Sequence, residues 1–242
     1  MKWIYVALFA SLPLFSFGQF NHASWDALLK KHVSAQGKVN YAGFKKDEKI
    51  LDGYLAYLSQ KEPASSSSKQ EQLAYWINAY NAFTVKLILN HLDKKLVSIK
   101  DIGSKFQVPF VNTPWDVKFI KIGGKEMDLN NIEHGIIRKK FDDPRIHFAL
   151  VCAAVSCPPL RAEAYTAAEL NQQLDDQGVK FLNDPTKNSV QTTKASISKL
   201  FSWYGTDFGN VNEWINKYSK NKITSKTKIT YMDYNWNLNG TY

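Results

Sequence analysis

Cysteine is almost missing from this chain. There are two in 242 residues, Cys152 and Cys157, and they stand five positions apart. A C-x4-C pair with dispersed histidines lacks the second paired ligand set of a structural zinc site, so no metal and no cofactor is expected. Arginine is scarcer than the net charge of +9 suggests. Only Arg138, Arg145 and Arg161 occur, and no Arg-rich stripe with interleaved aromatics appears. The positive charge lies on scattered lysines, which describes a solvated surface and argues against nucleic acid as a partner. After Trp3–Phe17 no second apolar run approaches the length of a membrane span. Internal repeats and long low-complexity tracts are also missing.

The one apolar run near the start reads as an export signal. Met1-Lys2 supplies a minimal positive region, Trp3–Phe17 the apolar stretch, and Ser16-Phe17-Gly18 the small residues before a cut. No cysteine follows that would take a lipid anchor. The expectation is an exported protein, periplasmic or extracellular, without stable membrane insertion once residues 1–18 are removed.

Seven tryptophans support a substantial core. Trp25–Val33 and Lys49–Ser59 have the apolar spacing of amphipathic helices, and EPASSSS at 62–68 is a polar break. Gln70–His91 is the longest helical candidate. Its heart, YWINAYNAFTVKLIL, is apolar almost all the way round, which predicts a buried helix. Asn78 and Asn81 lie three apart on it. A buried amide without partners costs about 1–3 kcal/mol. These two therefore bond either to nearby backbone or to a catalytic group or substrate.

Asp116–Ile122 alternates, and Gly123-Gly124 predicts a hairpin turn to Lys125–Asp128. Asp128 is a good cap for a helix over Leu129–Lys140, with Glu133, His134 and Arg138 near its apolar stripe. Ile146–Cys152 is long enough for one buried strand ending in a thiol, followed by a small-residue turn and Pro158-Pro159. Thr166–Leu182 opens with a capping box, and short strands and a helix follow to Trp236. The pattern predicts an α+β fold: a helix-rich single domain on a small, mostly antiparallel sheet, with residues 19–69 as a helical extension and 70–242 as the main domain.

A thiol acts as a thiolate, so a nucleophilic cysteine needs a base within reach and a group to orient that base. His147 is five residues before Cys152, an odd spacing that puts the two on opposite faces of a strand. His134 is therefore the better base. In an exported chain, two cysteines across a short turn also suit a disulfide, and spacing alone favours that over a free nucleophile.

Three segments together resemble the domain of unknown function 547 (DUF547) family: YWINAYNAF at 75–83, DLNNIEHGIIR at 128–138 and RIHFALVCAAVSCPPLR at 145–161, with KLFSWYGTDF at 199–208 a weaker fit. The resemblance implies site residues rather than a reaction. It marks Asn78, Asn81, Glu133, His134, Cys152, Ser156 and Pro158. It makes Cys152 the site residue and Cys157 an accessory, because some members carry aspartate at the latter position.

Two functions follow as expectations. One is a thiol-dependent hydrolase or acyltransferase acting on peptides or cell-envelope material. There Cys152 is the nucleophile, His134 the base, and Asn81 or Asn78 orients the imidazole or donates to an oxyanion. Glu133 and Ser156 belong to the substrate-binding set, and Arg138 or Arg161 binds a substrate carboxylate. The other is a non-catalytic envelope-associated binding domain stapled by Cys152–Cys157.

Overall fold

The computed structural model describes residues 20–94, 96–103 and 113–242. The apolar run read as an export signal, and residues 104–112 of the stretch read as loop and short strands, lie outside the described residues.

Helix α4 (Lys69–Leu89) is the axis of the fold. Ser68 caps it by accepting from Glu71 N at 3.1 Å. From Leu73 to Leu89 every side chain but Lys86 is buried, as a helix apolar on all sides requires. Helices α1 (Ala23–His32), α2 (Tyr41–Lys46) and α3 (Glu48–Gln60) enclose one flank and share one continuous core with α4. Strand β1 (Val39–Asn40) precedes α2. Strands β2 (Ile120–Ile122) and β3 (Lys125–Met127) form the antiparallel hairpin predicted from Gly123-Gly124, both of which take positive φ, +58° and +76°. Asp128 then accepts from Asn131 N at 2.6 Å and opens the next helix as its cap. That helix widens to π geometry over Asn131–Ile137 before ending as α5 (Arg138–Lys140).

The predicted strand at Ile146–Cys152 is not one. Ile146–Ala149 makes a single helical turn, α6, Leu150 turns to extended backbone, and Val151 and Cys152 join no strand. A short, fully buried apolar run carries no period that separates a strand from a helical turn. The role of a neighbouring strand falls to Asn81 of α4. Its Nδ2 donates to Ala149 O at 2.9 Å, and its Oδ1 accepts from Val151 N at 3.0 Å.

Helix α7 (Leu170–Leu182), strands β4 (Ser189–Val190) and β5 (Lys194–Ile197), helices α8 (Leu200–Trp203), α9 (Gly205–Phe208) and α10 (Val211–Tyr218), and strand β6 (Lys228–Tyr231) surround a second apolar cluster. Phe148 of α6 is buried within it, so α6 joins the two cores. The chain is helix-rich α+β, and among the described residues its strands form three separate small sheets. The pairings β2–β3 and β4–β5 and the isolated bridges are antiparallel, as expected, whereas β5–β6 and β1–β7 (β7, Gly240–Thr241) are parallel. Strands β5 and β6 are joined through α8–α10, the kind of long crossover that parallel pairing requires.

The C-terminal segment crosses back over the turn that follows Cys152. Val155 N donates to Asn237 O at 2.8 Å, Ser156 N to Asn235 O at 3.2 Å and Asn239 N to Ala153 O at 3.0 Å. Leu238 N also donates to Val97 O at 2.8 Å. Among the described residues, no helix is long and apolar enough to cross a membrane.

Candidate functional site

A cavity of about 310 Å³ opens where the π-helix, α6, the Cys152 turn, α8 and the C-terminal segment converge. Glu133, His134, His147, Cys152 and Cys157 all line it. The odd-spacing argument against His147 fails because α6 is helical. One turn of helix followed by a non-helical stretch brings His147 and Cys152 to the same cavity.

Each histidine is fastened by one nitrogen. His147 is buried, stacks on Tyr204 at 3.8 Å between ring centroids, and bonds through Nε2 to Asp207 Oδ2 at 2.8 Å. The carboxylate can only accept, so this nitrogen carries the proton and the lone pair of the neutral ring lies on Nδ1. Burial lowers the His147 pKa, opposed by the Asp207 bond. Asp207 is itself gripped by Arg138 through Nε at 2.7 Å and Nη2 at 2.6 Å. This fork, with His147, holds the Asp207 carboxyl far below the usual carboxylate range. The same guanidinium donates from Nη1 to His134 Nδ1 at 3.1 Å. Arginine cannot accept, so His134 keeps its proton on Nε2. One Arg–Asp pair thus holds both imidazoles in the Nε2–H tautomer, with the proton engaged and the lone pair free in His147, and the lone pair engaged and the N–H free in His134.

Cys152 and Cys157 are joined as a disulfide, and no described cysteine is free. The Tyr234 hydroxyl lies 3.3 Å from Cys152 Sγ and donates to Cys157 Sγ at 3.2 Å. Ala153, next to Cys152, has φ of +58°, the one non-glycine in left-handed backbone among the described residues. Such a conformation costs an L-residue roughly 1–2 kcal/mol, and strain of this kind collects at functional sites.

Of the remaining residues singled out from sequence, Glu133 lines the cavity and accepts from Tyr204 OH at 2.7 Å. Asn78 and Asn81 do not line it. Asn78 binds both backbone groups of Tyr165, at 2.7 and 3.0 Å, much as Asn81 binds Ala149 and Val151. Both amides are used at both ends, so neither orients an imidazole or donates to an oxyanion here. Arg138 is committed to Asp207 and His134, which removes it as a clamp for a substrate carboxylate. Arg161 is turned to Glu163, at 2.6 Å from Nε, and to Asp176, at 3.3 Å from Nη2, away from the cavity. Ser156 Oγ accepts from Asn235 N at 2.9 Å and holds the C-terminal segment instead of a ligand.

The residues missed from sequence are Asp207, Tyr204, Tyr234 and Trp236. Asp207 and Tyr204 sit in the aromatic tail LFSWYGTDF, a lone acid among rings. Tyr234 and Trp236 are two apart in a stretch read only as short strand, yet that period brings both to the cavity wall. Among the described residues no group of three His, Cys, Asp or Glu side chains stands close enough to hold a metal ion.

Comparison with curated proteins returned no match, and comparison with solved structures returned none. Residues 64–182 match the family model described as protein of unknown function, DUF547, and through that segment the chain belongs to the DUF547 family.

Proposed function

We propose that the protein is an exported, thiol-dependent hydrolase or acyltransferase of peptides or cell-envelope material. The observation that carries the reading is the meeting of Cys152, at a strained turn, with the Asp207-held His147 in one cavity. A nucleophile, a base and a group that orients the base are the minimal set for acyl transfer.

The disulfide is the resting form. A dithiol reductant opens it, giving two thiols and becoming a disulfide itself. His147 Nδ1 then takes the Cys152 proton. The thiolate attacks the carbonyl carbon of an amide, and an S–C bond forms. His134 Nε2–H is the donor suited to the oxyanion. The C–N bond breaks, and the leaving amine takes the proton from His147. Water or a second amine cleaves the thioester, releasing acid or new amide and restoring the thiol. His147 thus takes over the base role expected of His134, because the Arg138 bond occupies the lone pair of His134 and the Asp207 bond leaves that of His147.

The test is Cys157→Ser, which leaves Cys152 free without reductant. Its alkylation rate against pH should report a thiol pKa below about 8.5, the value of an unperturbed cysteine, and adding Cys152→Ala to that variant should remove both labelling and amide cleavage. A Cys152 that titrates at or above that value and cleaves no amide or thioester would dismiss the reading. The closed disulfide, with Tyr234 on both sulfurs, favours a second reading: a binding domain in which the pair is a staple.

A further inference from the structure

Among the described residues, the cavity is lined by two carboxylates, Asp116 and Glu133, and by no lysine or arginine. The protein as a whole is basic, so this local balance is the reverse of its surroundings. The two acids differ. Asp116 is occupied by its own neighbours. It accepts from Thr113 N at 2.8 Å, from Thr113 Oγ1 at 2.7 Å and from Asn130 Nδ2 at 2.7 Å. Glu133 is only 6 % exposed and makes no salt bridge among the described residues. Its partners are neutral: the Tyr204 hydroxyl at 2.7 Å, with the Tyr80 hydroxyl also against it. The nearest guanidinium, Arg138, is bound to Asp207 and His134. A carboxylate buried without a cation is costly, and a ligand that brings one relieves the cost.

The opposite wall is aromatic. Trp203 and Tyr234 lie 4.7 Å apart, Tyr234 and Trp236 4.5 Å, and Trp115 and Trp236 5.8 Å. Ring faces attract cations. The chain's own cations already use these rings, with Lys100 Nζ 3.9 Å over Trp236 and the Arg138 guanidinium 5.2 Å over Tyr204. A sugar would need several converging hydrogen-bond partners, and the Thr113, Asp116 and Asn130 groups on that side are bonded to one another. A cavity of about 310 Å³ has room for one long side chain.

We propose that this cavity recognises an alkylammonium group, the side chain of lysine or a similar diamino acid in a peptide, with the charge on Glu133 and the methylenes between the aromatic rings. As a statement about substrate, this rests on the thiol chemistry proposed above. As a statement about what the cavity binds, it stands without it.

The test uses the full-length oxidised protein and two probes of equal shape, Nα-acetyl-lysine methylamide and Nα-acetyl-norleucine methylamide, followed by tryptophan fluorescence and calorimetry. The lysine probe should bind about 10-fold tighter. Glu133→Gln should remove that preference and leave the norleucine affinity unchanged. Should Glu133→Gln fail to fold, Trp203→Ala at the exposed rim should weaken the lysine probe several-fold. Equal affinity for the two probes, an undiminished preference in Glu133→Gln, or displacement of the lysine probe by a neutral hexose at equal concentration overturns the proposal. If Cys157→Ser cleaves amides but the probes bind alike, the ammonium reading fails alone. If the preference holds while Cys157→Ser is inert, the thiol reading fails alone.

Discussion

Asn81→Leu separates a structural amide from a catalytic one. The side chain is 3 % exposed, and leucine has the same branched heavy-atom skeleton with bulkier ends, so the change leaves no cavity. What disappears is the pair of bonds to Ala149 O and Val151 N. One buried N–H and one buried C=O are then orphaned, at about 1–3 kcal/mol each. A loss of about 3 kcal/mol is expected, against a total of about 5–15 kcal/mol for a typical domain. Urea unfolding followed by tryptophan fluorescence on the oxidised protein should show the midpoint falling by about 1–2 M at an unchanged slope. Asn78→Leu, which orphans both backbone groups of Tyr165, should cost a similar amount. A variant within about 0.5 kcal/mol of the parent would mean that the amide does not stand in for a missing strand. If that same variant lost amide cleavage, a direct catalytic role for Asn81 would be restored.

Ala153→Gly should stabilise the protein by about 0.5–1 kcal/mol, because glycine takes the left-handed backbone without the penalty alanine bears there; a lower urea midpoint would refute this. Burial lowers the His22 imidazole to about 4, so its folded form stays neutral where the unfolded chain already binds a proton. Its contribution is complete above about pH 6.5 and is lost as the pH falls toward 4, by up to about 3 kcal/mol. His22→Gln should therefore give a shallower fall in melting temperature across that window, and an unchanged slope would count against the assignment.

What could be read from the chain beforehand depended on whether the deciding force was local. The hairpin at Gly123-Gly124 was legible because positive φ needs glycine, and α4 because a helix apolar on every side has nowhere to go but inward. The meeting of Cys152 and His134 in one cavity was anticipated from motifs on separate segments. The secondary structure of Ile146–Cys152 was not legible, since burial on all sides erases the period. The asparagines were recognised as needing partners, but a side-chain amide does not announce whether it will find backbone or ligand. Asp207, Tyr234 and Trp236 lie beyond residue 182, where the family match ends, and only the tertiary fold shows that they complete the cavity.

The C-terminal segment that crosses the Cys152 turn also sets an order of events during synthesis. Helix α4, Glu133 and Cys152 leave the ribosome well before Tyr234 and Trp236 do. A nascent chain holds the sulfurs and the imidazoles but lacks two of the rings that wall them in. The pocket is finished only once residue 236 is in place, so a polypeptide cut short before residue 234 would leave its chemistry uncovered.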